Sequence, residues 1–270
     1  MNELVNTLNG LVWSPALIYL CLGVGLYFSL RGRFLQVRHF KEMIRLMFNG
    51  RTDEHGITSF QALTMTLAGR VGTGNIAGVA TAITFGGPGA VFWMWMVAFL
   101  GASSAFVEST LGQVYKEKID GQYRGGPAFY IEKGLGMKWY AWVFAVVTVF
   151  ACGVLLPGVQ ANSIASSVQT ALGVHPNTTA AVLAIILGLI IFGGVKRIAR
   201  FAEFVVPFMA LGYILVACVI VMLNIEKLPE VITLIFKSAF GLDAGFGAIL
   251  GLAIMWGVKR GVYSNEAGQG

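Results

Sequence analysis

Ala68-Gly69-Arg70-Val71-Gly72-Thr73-Gly74-Asn75 sits at the centre of an otherwise apolar segment, residues 58–85, and the reading of that stretch decides the fold. The segment has the length of a membrane span, yet near mid-depth it carries an arginine, a threonine, an asparagine and three glycines. An arginine there costs about 2.5–3.5 kcal/mol, and each glycine weakens a helix by roughly 1 kcal/mol relative to alanine. Irregular backbone at that depth is tolerated only where it is buried in protein or lines a cavity. The stretch therefore predicts a broken helix. One half would end in free carbonyls that can ligate a cation, and the next would begin with N–H groups that can hold a carboxylate.

Two other readings of the same residues compete. Gly74-x-x-x-Gly78 has the spacing of a helix-packing motif. Gly72-x-Gly74-x-x-Ala77 matches a dinucleotide fingerprint, but no strand precedes it and no βαβ unit surrounds it. The final segment repeats the anomaly. Gly245 to Val258 is apolar, and then Lys259-Arg260-Gly261 leads into Tyr263-Ser264-Asn265-Glu266 after about half a span. A second break is expected at Lys259, and Arg70/Asn75 and Arg260/Asn265 share one spacing. Paired glycine-interrupted segments in two halves of a chain point to the binding site of a secondary transporter.

Composition agrees with a bilayer. Of 270 residues, 56% are hydrophobic and 12% are charged, against roughly 25% charged in soluble domains. The mean hydropathy is +0.74. Cys21, Cys152 and Cys218 lie in apolar runs with no C-x-x-C spacing, and His39, His55 and His175 have no metal-ligand spacing. No nucleophile, metal cluster or acid–base pair suggests an enzyme. A net charge of +6 could suit nucleic acid, but the basic residues sort by membrane side rather than onto one face, which excludes that partner.

Seven spans are expected, at about 15–30, 58–85, 89–114, 139–172, 178–195, 203–223 and 245–270, with an amphipathic interfacial helix over Arg31 to Asn49. Lysines and arginines number six in 31–54, five in 115–138 and three in 195–202, but two in 224–243. The positive-inside rule then places the N-terminus outside and the three basic loops in the cytoplasm.

Gly86-Gly87-Pro88-Gly89-Ala90-Val91-Phe92-Trp93-Met94-Trp95-Met96 resembles the signature of the alanine/glycine:cation symporters, also called sodium:alanine symporters. Gly72 to Ala80, Gly125-Gly126-Pro127-Ala128, Gln160-Ala161-Asn162-Ser163-Ile164 and Ser264-Asn265-Glu266-Ala267-Gly268 resemble further stretches of that family, in order, from about residue 13 onward. The resemblance implies an all-α integral membrane protein of the plasma membrane with the inverted-repeat sodium-symporter fold. It implies sodium-coupled uptake of alanine or glycine by alternating access. Family members are much longer, so the chain is expected to be an incomplete copy. Its parts would be an extra helix (1–30), the interfacial helix and loop (31–54), a first five-helix repeat (55–223), an extracellular connection (224–244) and the start of a second repeat (245–270).

The resemblance also implies roles. The carbonyls of Ala68 and Val71 would ligate sodium, and the side chain of Asn75 would ligate sodium or touch substrate. Gly72, Thr73, Gly74 and Asn75 would approach the substrate by backbone, with Gln160, Trp256, Ser264 and Asn265 as further substrate contacts. For Gln160 an inter-helix hydrogen bond is the competing reading, and for Trp256 it is packing. Trp93 and Trp95 suit an interfacial aromatic belt better than a site. Proton coupling would need an intramembrane acid, for which Glu108 is the one mid-chain candidate. A non-transporting membrane fragment is the remaining alternative.

Overall fold

A computed structural model describes residues 2–49, 56–241 and 247–266. Among them the chain is helical apart from one short hairpin. In order the helices are α1 (Asn2–Val12), α2 (Pro15–Arg31), α3 (Leu35–Arg38), α4 (Phe40–Asn49), α5 (Ser59–Arg70), α6 (Thr73–Gly86) and α7 (Gly89–Val114). The hairpin pairs β1 (Glu117–Ile119) with β2 (Gln122–Arg124), antiparallel. Then come α8 (Pro127–Leu135), α9 (Lys138–Phe150), α10 (Leu156–Leu172), α11 (Pro176–Ile191), α12 (Gly194–Leu223), α13 (Leu228–Ala239) and α14 (Gly247–Asn265).

Four helical stretches are long and apolar enough to cross a membrane singly: Thr7–Arg31, Gly89–Val114, Lys138–Leu172 and Gly194–Leu223. The remaining three expected spans take other forms. α11 is a shorter apolar helix of 16 residues. Segment 58–85 is split into α5 and α6, about 18 and 21 Å long at 1.5 Å per residue, so neither half crosses a ~30 Å core alone. The expected break at Lys259 is absent. α14 runs without interruption from Gly247 through Lys259-Arg260-Gly261 to Asn265, and only then does Glu266 turn off in a left-handed conformation, φ 51°. The two cations do not end the helix, since lysine and arginine are good helix formers, and aromatic faces cover them. Lys259 lies over Trp13 and Trp256, and Arg260 over Trp256.

Further boundaries shift. The interfacial helix is two pieces, α3 and α4, entered through Arg33 and Phe34 in the left-handed region. The basic residues Lys196, Arg197 and Arg200 form the opening turns of α12 rather than a loop. The 224–244 connection contains α13, whose proline falls in the first turn, where its missing N–H costs nothing. The long apolar segment 139–172 is continuous. A π-helical turn at Ala151–Leu155, with Leu156 N–H bonded to the Ala151 carbonyl, widens the helix just before Pro157, which has no N–H to donate.

The chain divides into two compact units. The first comprises residues 1–41, 74–107 and 214–268. Its core joins Ile18 of α2, Val97 of α7 and Val258 of α14. Glycines set the spacing here. On α14, a Cβ at Gly257 would lie 2.5 Å from that of Trp93, and one at Gly261 would lie 3.1 Å from that of Val97. α2 meets α7 where Gly25 lies under Leu100. Beside that contact the buried Ser103 hydroxyl bonds Ser29 Oγ at 2.9 Å and donates to the carbonyls of Gly25 and Leu100.

The second unit comprises residues 42–73, 108–213 and 269–270. α5 opens with a capping box. The Thr58 hydroxyl accepts from Gln61 N–H, and Gln61 Oε1 accepts from Thr58 N–H. The hairpin is tied to α8 by an ion pair between Lys133 and Glu117. In the same region burial holds the Tyr130 phenol above its usual pKa, with the nearby Glu108 carboxylate and Tyr140 adding to the shift.

Candidate functional site

In the second unit, α5 ends at Arg70 with a last helical bond from Val71 N–H to the Leu67 carbonyl. The carbonyls that follow Leu67, Ala68 first among them, lack helical N–H partners. Val71 is extended, and α6 starts at Thr73. The break does not use glycine's access to left-handed backbone, since Gly72 is not among the positive-φ residues. Gly72 is needed for close approach: an added Cβ would lie 3.1 Å from Gln160 Nε2 and 3.3 Å from its Oε1. Gln160, on α10, accepts from Thr73 N–H at 3.3 Å through that Oε1 and so caps the new helix. Thr73 Oγ1 is buried without a partner among the described residues. Gly72, Thr73 and Gln160 are thus brought together, and the contact made is an inter-helix hydrogen bond.

In the first unit, α6 continues with Gly74, Gly78, Ala82 and Gly86 buried at four-residue intervals. The packing motif is therefore real: α14 lies along this stripe, with the Tyr263 ring against Gly74 and Trp256 against Gly86. Between the two helices the Ser264 hydroxyl donates to Asn75 Oδ1. A cavity of about 240 Å³ opens beside this pair, with Asn75, Ser264 and Asn265 as its polar lining and Val79, Met94 and Trp95 among its apolar walls. Asn265 Nδ2 is buried and has no partner among the described residues. A buried amide donor without an acceptor is costly, and the residue that carries it is part of the cavity lining. The volume is below the roughly 300–1,000 Å³ of pockets for drug-sized ligands, which suits a smaller solute.

Trp256 stays apart from this cavity. It stacks on Phe85 at 4.8 Å between ring centroids and does not appear in the lining. The matched spacing of Arg70/Asn75 and Arg260/Asn265 has no common geometry, because Asn75 follows a helix break while Asn265 closes an unbroken helix. Trp95, expected in an aromatic belt, forms a cavity wall, whereas Trp93 donates from Nε1 to the Ala239 carbonyl on α13. Met94 was not legible as a cavity wall, its only sequence signal being its position inside the Gly86–Met96 signature. Glu108 is not the one mid-chain acid within a membrane-length helix. α12 includes Glu203, whose Oε2 accepts from Gln61 Nε2 at 2.9 Å.

Several membrane-length apolar helices and one interrupted span define a multi-pass integral membrane protein. The sodium:alanine symporter family model matches residues 1–270, and the chain belongs to that family. It is 63% identical over its whole length to YrbD of Bacillus subtilis (strain 168), covering 56% of that protein. It is 53% identical over 84% of its length to the sodium/proton-dependent alanine carrier protein of Bacillus sp. (strain PS3), covering 51% of it. To the sodium/alanine symporter AgcS of Methanococcus maripaludis it is 46% identical over 99% of its length, covering 61%. The chain thus spans somewhat more than half the length of these relatives.

Proposed function

We propose that the chain serves cation-coupled symport of a small neutral amino acid, alanine or glycine, with sodium as the driving ion. The observation that carries this reading is the cavity beside the Asn75–Ser264 bond, with Asn75, Ser264 and Asn265 as its polar lining. An amino acid's carboxylate is an acceptor for the side-chain donors of that lining, and Val79, Met94 and Trp95 form an apolar wall for a small side chain beside it. In the second unit, we assign sodium to the carbonyls of Ala68 and Val71, hard oxygen donors freed by the end of α5. The relatives' names support both partners, one being a sodium/alanine symporter and another a sodium/proton-dependent alanine carrier. The protein would sit in the plasma membrane with its N-terminus outside, its helices from α5 to α12 forming the first of two inverted repeats.

The test is alanine uptake into proteoliposomes under an inward sodium gradient, an inward proton gradient, or neither. Sodium-driven uptake that falls at least about tenfold in Asn75→Ala supports the proposal. Uptake that follows the proton gradient alone replaces sodium with a proton and moves attention to Glu203 and Glu108. Absence of uptake and of sodium-dependent alanine binding, in protein shown to be folded and inserted, overturns the symporter reading for this chain.

A further inference from the structure

We propose that the α8–α9 hairpin of the second unit is a binding site for a zwitterionic aminophospholipid, one carrying a primary ammonium and a phosphodiester. The two helices are joined through Gly136, in the left-handed conformation. Between them lies a groove of about 200 Å³. Ala128 on α8 and Ala141 and Ala145 on α9 are its small residues, Phe129 and Trp142 its aromatic walls, and Glu132 its single charge. Ala128 and Glu132 are one helical turn apart, as are Ala141 and Ala145, so each helix turns one face to the groove.

The charges gather where the hairpin turns. Glu132 lies one turn before Gly136, and Lys138 opens α9 with its Nζ 4.0 Å from Glu132 Oε1. Both side chains are substantially exposed, at 48% and 73%. This loose, outward-facing pair sits beside an apolar groove, which is the arrangement a lipid with both charges would complement: ammonium on Glu132, phosphate on Lys138. The first N–H groups of α9 add to the phosphate side, since no side chain caps that helix. Trp139 and Trp142, both about two-thirds exposed, stand at the same end of α9, where indole rings prefer the headgroup level. A lipid with a quaternary ammonium lacks the N–H donors for Glu132, and a purely anionic lipid has nothing to place there.

The full chain, purified and delipidated in detergent, is offered equal amounts of phosphatidylethanolamine and phosphatidylcholine with identical acyl chains, and bound lipid is counted by native mass spectrometry. The expected result is about a fivefold excess of phosphatidylethanolamine adduct, the scale of one partly exposed ion pair. The excess falls to parity in Glu132→Gln and persists in Glu132→Asp, which keeps the charge. Trp142→Ala lowers the adducts of both lipids together. Parity in the unmodified protein overturns the proposal, as does an excess that survives in Glu132→Gln.

Discussion

At the scale of single residues, Gly72 and Gln160 come close together at the helix break. The Gln160 amide occupies the space a Gly72 Cβ would need, and its oxygen holds Thr73 N–H. Gly72→Ala must displace the end of a flexible side chain and so loses the same hydrogen bond that Gln160→Ala removes. Each substitution should lower stability by about 0.5–1 kcal/mol. The double variant should lose no more than the larger single effect, because both act on one interaction. Thermal unfolding of the four proteins in one detergent checks this, and additive losses would show that the pair is not coupled. Tyr130 has a different consequence. Its raised pKa means that the neutral phenol is favoured in the folded state. The stability this contributes is complete below the unfolded phenol's pKa, about 10, and is lost as pH rises through the higher folded value.

At the scale of elements, the interruption between α5 and α6 was legible in the sequence because glycine density and Arg70 violate two independent rules for a span at once. The continuity of α14 was not. Lys259 and Arg260 have the same charge as Arg70, but both are good helix formers, and the rings of Trp13 and Trp256 that cover them lie distant in sequence or a turn away. α13 differs from expectation too, since it lies within residues 224–244, which read in the sequence as an extracellular connection. It is fixed by contacts with the start of α7. Gly89 N–H donates to Ser238 Oγ at 3.0 Å, and Phe92 sits 5.4 and 5.0 Å from the ring centroids of Phe236 and Phe240. A Cβ on Gly89 would come within 2.6 Å of the α13 backbone. Backbone cannot swing aside as a side chain can, so Gly89→Ala should cost about 1–3 kcal/mol. Ser238→Ala, which removes only a hydrogen bond, should cost about 1 kcal/mol. Comparable losses in thermal unfolding would contradict the steric account.

At the scale of the whole molecule, the membrane class follows from composition, and the sorting of lysine and arginine predicts which loops share a side. Orientation is the testable part. In a background with Cys21, Cys152 and Cys218 replaced, a cysteine at Thr7 should react with a membrane-impermeant maleimide on intact cells. One at Lys118, in the hairpin strand β1, should react only after the membrane is opened. The opposite pattern would invert the topology. Of the candidate site, the asparagines and Ser264 could be read from the sequence as polar groups out of place in apolar helices. The cavity walls Met94 and Trp95 could not, since an apolar residue in an apolar helix gives no local sign of which neighbour it faces.

The π-helical turn at Ala151–Leu155 gives the chain freedom in its length. Such a turn is an α-helix holding one surplus residue in a local widening, so the surplus does not propagate. Loss of one residue from 151–155 would close the widening into ordinary helix and leave Gln160 directed at Gly72. Loss of one residue from the regular turns of α9 would rotate everything after it by about 100°, carrying Gln160 away from the break. Relatives that differ in length by a single residue between Lys138 and Gln160 are therefore expected to differ within those five positions and to keep the rest of the helix in register.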